Sequence, residues 1–198
     1  MFLYVPVYVI WFLLAERCIT ADYYVSYMPL DDKIPFIPQF VAAYVLWYPF
    51  MLLPLIPLYR MDRGAFKRYG AYLIIGLSAS LAICCLFPNG QDLRPENPGN
   101  GLFATLIGHL YAADTNTNVL PSMHVVASLG TVMAFFDSRS LRRLRFPAVI
   151  LALLICASTV LIKQHSFVDV IWGAALAAAV GLGVYGRRLA RGLRNKGA

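Results

Sequence analysis

Apolar residues occur in six long runs along the chain, and Pro, Gly and charged residues separate one run from the next. The runs cover residues 1–18, 39–59, 69–87, 121–136, 146–163 and 167–186. A helix of roughly 20 apolar residues is long enough to cross the hydrocarbon core of a bilayer. The pattern therefore predicts an all-α, polytopic membrane protein in which six transmembrane helices pack as a bundle.

The composition points to the same class of protein. Of the 198 residues, 60% are hydrophobic and 14% are charged, whereas soluble domains have about half apolar and a quarter charged residues. Six crossings take up about 120 residues, so we expect one membrane domain over residues 1–198 and no separate soluble domain. The first run reaches Glu16 and Arg17 without a signal-peptide cleavage pattern, so it is expected to be a retained span.

Basic residues lie mainly on one side of this topology. Most of the 17 Lys and Arg residues fall in residues 60–68, 137–145 and 187–196, which contain only two acidic residues, Asp62 and Asp137. Because basic loops stay in the cytoplasm, both termini are expected there, in a protein of the plasma membrane. This asymmetry also explains the net charge of +7, and no nucleic-acid partner is expected.

All three histidines fall on the opposite, extracytoplasmic side, together with residues 88–118, the longest polar segment. Ionisable residues at membrane depth are costly to bury, so they indicate a functional site. We therefore expect the active site at the outer membrane interface. His109 lies in a predicted short interfacial helix, where packing is the simpler explanation.

The first motif opens the fourth apolar run with Pro121, Ser122, Met123 and His124. Pro and Ser after polar residues are typical of a helix start, and the free N–H groups of a helix N-terminus can bind an anion. Ser122 and His124 would then stand on the first turn, beside a bound phosphate. The alternative is that Ser122 only caps the span and His124 lies at the interface.

The second motif pairs His165 with Asp169 at the start of the sixth run. Residues four apart share one face of a helix, so the carboxylate can hold one imidazole nitrogen protonated while the other acts as nucleophile or base. The alternative is a purely structural hydrogen bond. A metal site is not expected, because a third ligand is missing, and the four cysteines are interpreted as reduced packing residues.

The third motif is Arg94-Pro95 in the outer loop. A guanidinium offers a planar fork of donors that suits phosphate oxygens. Alone it is a weak signal, but it lies on the same side as two histidines and Lys163. Together these residues supply the positive charge that phosphoryl transfer needs.

In this order, the three motifs resemble those of the type 2 phosphatidic acid phosphatase superfamily of lipid phosphatases and phosphotransferases. The first motif of that family is usually a Lys followed, after six residues, by Arg-Pro. The second is Pro-Ser-Gly-His. The third is Ser-Arg followed, after five residues, by His and, after three more residues, by Asp. The resemblance covers the six runs in topology and residues 88–173 in motifs. It implies a membrane enzyme that binds the bilayer and acts on a lipid phosphate.

The chain departs from the family pattern at three places. Phe87 stands where the family has its Lys, Met123 replaces the Gly, and Ser158-Thr159 replaces the Ser-Arg pair. Two phosphate-binding cations are therefore missing, and we hypothesise that Lys163 replaces one of them. The sequences Pro-Ser-Met-His and Lys-Gln-His resemble those of the branch that includes bacterial relatives of inositol phosphorylceramide and sphingomyelin synthases.

The resemblance implies a role for each matching residue. His165 would attack phosphorus to form a phosphohistidine, Asp169 would orient that imidazole, and His124 would protonate the leaving oxygen and then deprotonate the incoming water or alcohol. No metal and no cofactor is implied. The expected phosphate-binding residues are Arg94, Lys163 and Ser122.

Three functions compete at this point. The first is dephosphorylation of a membrane phospholipid phosphate, and the second is transfer of a phosphorylated head group to an alcohol. The third is a non-catalytic membrane scaffold or transporter, which the missing cations suggest. Against the third, a site without function has no chemical reason to keep His124, His165 and Asp169 at workable spacings.

Overall fold

The computed structural model describes residues 4–18 and 22–194, apart from the side chains of residues 187 and 189–194. Residues 1–3 of the first predicted span, Lys196 and the side chains of Arg187, Arg191 and Arg194 lie outside this description. The helices are α1 (Tyr4–Cys18), α2 (Val41–Val45), α3 (Trp47–Leu52), α4 (Leu55–Met61), α5 (Arg63–Leu86), α6 (Leu102–Ala113), α7 (Met123–Asp137), α8 (Arg145–Leu161) and α9 (Phe167–Arg194). Two short strands, β1 (Tyr24–Val25) and β2 (Asn89–Gly90), pair in parallel.

Prolines divide the second apolar run into short helices. Pro49 and Pro54 lack the N–H groups that would bond to the carbonyls four residues earlier, and the helix is interrupted between α2 and α3 and again between α3 and α4. The segment still runs as one apolar, helical stretch over Pro38–Met61.

A helix lies in each of the six predicted apolar runs, so the expectation of a mostly helical membrane protein is confirmed. Four segments are long and apolar enough to cross a membrane: Pro38–Met61, Arg63–Leu86, Arg142–Leu161 and Phe167–Gly186. Helices α1 and α7 have 15 residues each. At 1.5 Å per residue they are about 22 Å long, shorter than a hydrocarbon core of about 30 Å, so six crossings stay a prediction.

Helix α7 is the centre of the bundle and packs against α3, α5, α8 and α9. Small residues let these helices approach closely, as is common between helices in membranes. The small buried residues of α7 are Ala127, Ser128, Gly130, Thr131 and Ala134. The ring of Tyr72 lies directly on Gly130, where an added Cβ would be only 1.8 Å from the ring.

Charged residues join the helices at the end of the bundle where α7 ends. Asp137 pairs with Arg68 of α5 at 2.7 Å and with Arg188 of α9 at 3.1 Å. Nearby, the Asp62 carboxylate accepts hydrogen bonds from the Ala65 N–H and the Ser138 hydroxyl, both at 2.9 Å. This end carries the basic segments identified in the sequence.

At the opposite end of α7, buried polar groups connect the loops. The Asn89 side chain accepts from the N–H groups of Val119 and Leu120 at 2.9 and 2.7 Å, and donates to the Phe87 carbonyl at 2.7 Å. Asn89 is also part of β2, which pairs with β1. The segment that leads into α7 is therefore held at a defined position.

We expect Gly130→Ala to destabilise the protein by about 1–3 kcal/mol, the usual cost of overpacking a core. Tyr72 is fully buried and its hydroxyl donates to the Val126 carbonyl at 3.0 Å, so the ring has little room to move. Thermal unfolding in detergent measures the effect. Gly183→Ala in α9 is the control, because no atom lies within 4 Å of its added Cβ; equal stability of the two variants would contradict the packing argument.

Candidate active site

The starts of α7 and α9 lie side by side and bring two distant motifs together. The Ser122 N–H donates to the Asp169 carbonyl at 3.2 Å. Gly173 of α9 allows the contact, since a Cβ there would lie 2.9 Å from the Ser122 carbonyl oxygen. As a result, the ring centroids of His124 and His165 are 5.6 Å apart.

His165 has its two ring nitrogens in different surroundings. Its Nδ1 atom lies 3.0 Å from the Val119 carbonyl and 3.3 Å from the Asp169 carboxylate. Both partners are acceptors, so we assign the proton to Nδ1. The Nε2 atom then carries the lone pair, and it lies 3.4 Å from the Ser122 hydroxyl. Of the two ring nitrogens, Nε2 is therefore the one whose lone pair can act as a nucleophile.

The Asp169 carboxylate is completely buried and is held by groups from distant parts of the chain. It accepts a hydrogen bond from the Ser166 N–H at 2.9 Å and a short one from the Ser26 hydroxyl. Buried carboxylates need such donors to remain stable. Ser26 is therefore part of the site, although it belongs to no recognisable motif.

Asp31 is a second residue that the sequence analysis missed. Its carboxylate accepts from the Phe167 N–H at 2.8 Å and from the Ser166 hydroxyl at 2.5 Å. It thereby caps the N-terminus of α9, a role usually filled by a residue adjacent to the helix. No sequence pattern connects a carboxylate in the loop after α1 with a helix that begins 136 residues later.

His124 lies between two aromatic rings. Its centroid is 4.2 Å from that of Tyr44 and 4.4 Å from that of Trp47. Its Nε2 atom is buried and has no hydrogen-bond partner in the described part of the chain. Such a nitrogen is available to exchange a proton with a ligand.

Arg94 is close to the site but does not contact either histidine. Its guanidinium donates to the carbonyls of Tyr111 and Asp114 at 3.2 and 2.6 Å and to the Gln164 side-chain oxygen at 2.7 Å. Burial lowers the pKa of the Arg94 guanidinium from its ordinary value, while the nearby Asp114 carboxylate opposes this effect. Arg94 therefore joins the C-terminal end of α6 to Gln164, the residue preceding His165.

The structure places Lys163 apart from the histidines. Its ammonium donates to the carbonyls of Asp31 and Ile34, both at 2.7 Å, and it is not among the residues that line the cavity at the histidines. The backbone explains this direction, because Lys163 has a φ of 56° in the turn between α8 and α9. The geometry brings together Ser122, His124, His165 and Asp169 and leaves Lys163 outside that group.

A cavity of about 400 Å³ reaches the two histidines. Apolar residues of α1, α3 and α5 form most of its wall, among them Tyr8, Phe12, Met51 and Leu77. Its polar end is formed by Asp114, Thr117, Asn118, His124, Gln164 and His165. The shape suits a ligand with an apolar chain and a polar end.

Asp114 follows α6 and lies on the wall of this cavity. Its carboxylate accepts a hydrogen bond from the Tyr44 hydroxyl at 2.7 Å. Burial raises the pKa of the Asp114 carboxyl, and the hydrogen bond from Tyr44 opposes that rise. His109, in contrast, is exposed on α6. Within the described ranges, no group of three or more His, Cys, Asp or Glu residues is arranged to hold a metal ion.

Comparison with known proteins connects this geometry to a family. No curated protein and no solved structure matches the chain. The family model described as the PAP2 superfamily matches residues 90–192, which include Arg94, both histidines of the site and Asp169. Because this match covers more than half of the 198 residues, the resemblance seen in the motifs is confirmed, and the chain belongs to the PAP2 superfamily of phosphatases and phosphotransferases.

Proposed function

We propose that this protein catalyses metal-independent phosphoryl transfer from a lipid phosphate through a phosphohistidine at His165, with water as acceptor. It would thus dephosphorylate a membrane phospholipid phosphate. The observation that carries the proposal is the setting of His165. Val119 and Asp169 hold its Nδ1 proton, and Nε2 is left at the cavity beside His124.

The two histidines account for every bond and proton in this reaction. The Nε2 lone pair of His165 attacks phosphorus, the bond from phosphorus to the leaving oxygen breaks, and a protonated His124 gives that oxygen its proton. His124 then takes a proton from water, whose oxygen attacks phosphorus as the P–N bond breaks. His165 is regenerated, and Asp169 stabilises its positive charge during both steps.

The cavity supports a lipid as the substrate. Its wall is mainly apolar, and side chains of α1, α3 and α5 contribute to it. An acyl chain placed there loses no hydrogen bonds when it leaves the bilayer. The phosphate would then lie at the polar end, next to the two histidines; Ser122 contacts His165 but is not among the residues that line the cavity.

The charge distribution supports an outward-facing site. The histidines lie at the start of α7, whereas the Asp137, Arg68 and Arg188 cluster lies at its other end. If basic segments stay in the cytoplasm, the site faces the extracytoplasmic side of the plasma membrane. This orientation, with six crossings, keeps both termini in the cytoplasm.

A second candidate is a lipid head-group phosphotransferase. His124 and His165 are only 8% and 5% exposed, so bulk water has limited access to the phosphohistidine. A second lipid with a hydroxyl group can approach through the apolar cavity instead. This burial favours an alcohol acceptor, and product analysis distinguishes the two reactions.

We expect His165→Ala to abolish turnover, because His165 is the histidine of the site that is paired with a carboxylate and is the proposed nucleophile. Purified protein in detergent is assayed for phosphate release and for head-group exchange on a panel of lipid phosphates. His109→Ala is the matched control and is expected to keep full activity, since His109 is exposed on α6. Turnover by His165→Ala that equals that of the native protein would rule out His165 as the nucleophile, whereas lipid binding without turnover by the native protein would favour the scaffold or transporter hypothesis.

The same activity is expected to persist in excess EDTA. The steps above use nitrogen nucleophiles and imidazole protons, and none requires a Lewis acid. Phosphate release is measured before and after chelation and again after divalent cations are added back. Complete loss that the added cations reverse would rule out the mechanism.

We expect Ser26→Ala to lower kcat about tenfold while KM stays the same. The Ser26 hydroxyl donates to Asp169, and Ser26 is not among the residues that line the cavity. Its loss therefore weakens the orientation of His165 rather than binding; hydrogen bonds to charged groups are worth about 1.5–3 kcal/mol. Ser78→Ala is the control, because that hydroxyl pairs with Tyr4 at 3.0 Å, away from Asp169. A rise in KM at constant kcat would show that Ser26 does not act through Asp169.

A further inference from the structure

The two histidines of the site differ in how a positive charge on each is balanced. His165 is paired with the Asp169 carboxylate, whose Oδ2 atom lies 3.3 Å from Nδ1. His124 has no carboxylate partner among the described side chains, and its buried Nε2 atom has no hydrogen-bond partner there. In the proposed reaction, however, His124 is cationic before it protonates the leaving oxygen and again after it takes a proton from water. Another group must therefore stabilise a buried imidazolium.

Two aromatic rings lie next to this imidazole. The centroids of the Tyr44 and Trp47 rings are 4.2 and 4.4 Å from that of His124, and the ring planes are inclined to it by 32° and 41°. At these short distances and shallow angles the imidazole meets ring faces, whereas its plane is inclined by 65° to that of His165. An aromatic face carries negative potential and attracts a cation within about 6 Å of the centroid, most strongly for Trp. Both rings are therefore placed to stabilise a positive charge on His124.

Burial strengthens this contact. Tyr44 is fully buried and Trp47 is 8% exposed, so little water competes for the imidazolium. The attraction between a cation and a ring is strongest when both are desolvated. The two residues lie on either side of the break between α2 and α3, and a spacing of three residues places them on one side of a helical segment. The stretch Pro38–Met61 thus presents two ring faces to the start of α7.

Neighbouring contacts hold both rings in place. The Tyr44 hydroxyl donates to the Asp114 carboxylate at 2.7 Å, and the Tyr48 ring packs edge-on against that of Trp47, with centroids 4.9 Å apart. Hydrogen bonds polarise the groups that they join, and a phenol that donates to a carboxylate gains electron density on its ring. The bond to Asp114 therefore both orients the Tyr44 ring and makes its face a better partner for a cation.

The charged groups around His124 have other partners. Asp169 is bonded to His165. Arg94 donates to the Asp114 carbonyl, and the opposite charges of these two residues offset one another. The other ionisable residues that line the cavity are tyrosines, whose phenols are ordinarily neutral near pH 7: Tyr4, Tyr8 and Tyr48. In the described part of the chain, the ring faces are thus the groups in contact with His124 that can balance its charge.

We propose that Tyr44 and Trp47 are positioning residues that stabilise the cationic form of His124 through their ring faces. The inference rests on the proposed function, because it concerns the acid and base of the same reaction. His124 gives its proton to the leaving oxygen as the bond from that oxygen to phosphorus breaks, and it regains a proton from water as the P–N bond of His165 breaks. The rings act on His124 and take no part in either bond change.

The role of His124 as an acid gives a test that depends on the leaving group. Dodecyl phosphate releases an alcohol oxygen that must be protonated, whereas a dodecyl-substituted nitrophenyl phosphate carries the same apolar chain and releases a stable phenolate. The purified full-length chain is assayed in detergent with EDTA, and phosphate release gives kcat/KM for each ester. We expect Trp47→Leu to lower kcat/KM about tenfold for dodecyl phosphate and less than about twofold for the nitrophenyl ester. Tyr44→Leu is expected to show the same contrast.

The ratio of the two esters removes the effect of the substitution on chain binding. Trp47 lines the cavity, so Trp47→Leu can also change how the apolar chain binds, but that change is the same for both esters. Trp172→Leu is the matched control, because Trp172 of α9 is 58% exposed and is not among the residues that line this cavity. The control is expected to change neither rate.

Fluorinated tryptophan at position 47 separates the charge of the ring face from the shape of the ring. Each added fluorine withdraws electrons from the face and changes the volume little. We expect kcat/KM for dodecyl phosphate to fall stepwise as fluorines are added, by about tenfold over the series, while the nitrophenyl ester responds weakly. A purely structural role of Trp47 would leave both rates unchanged across the series.

The outcomes separate the role of the rings from the function on which it rests. If neither ester gives phosphate release that His165→Ala abolishes, the proposed function fails and the role of the rings fails with it. If Trp47→Leu slows both esters equally, or if fluorination leaves kcat/KM for dodecyl phosphate unchanged, only the role of the rings is overturned. The fluorinated series keeps the shape of the indole and decides the question even if Trp47→Leu does not fold.

Discussion

The buried carboxylate of Asp169 is the constraint on which the rest of the site depends. An ionised group inside an apolar bundle is stable only when hydrogen bonds replace its water. Asp169 obtains them from Ser26, in the loop after α1, and from the adjacent residues His165 and Ser166 just before α9. Meeting this requirement places the loop after α1 against the start of α9, and it determines which nitrogen of His165 faces the cavity.

Backbone carbonyls at the outer end of the bundle determine where the side chains of Arg94 and Lys163 bind. The loops there leave many carbonyls without helical partners, and such groups must be paired when buried. Arg94 donates to those of Tyr111 and Asp114, and Lys163 to those of Asp31 and Ile34. The cations therefore stabilise the loops around the site, and Asp114 remains on the wall of the cavity.

The short length and close packing of α7 determine how deeply His124 is buried in the bundle. Helix α7 has 15 residues, and its small side chains are surrounded by longer helices. Its N-terminus therefore lies inside the protein, where His124 is enclosed by Tyr44 and Trp47. The apolar wall next to it extends to α1 and α5. In the proposed reaction, a lipid would meet the polar groups at the end of a mainly apolar cavity.

Hydropathy and motif spacing are local properties, so the sequence by itself determined the helical membrane character, the six apolar runs and the residues of the two histidine motifs. It determined the His165 and Asp169 pairing too, because one helix turn separates them. Only the tertiary structure decided which loop residues join the site. Ser26, Asp31, Asp114 and Asn118 are common polar residues in loops without a regular spacing. Their roles, like the direction of Lys163, follow from which buried groups need partners once the helices have packed.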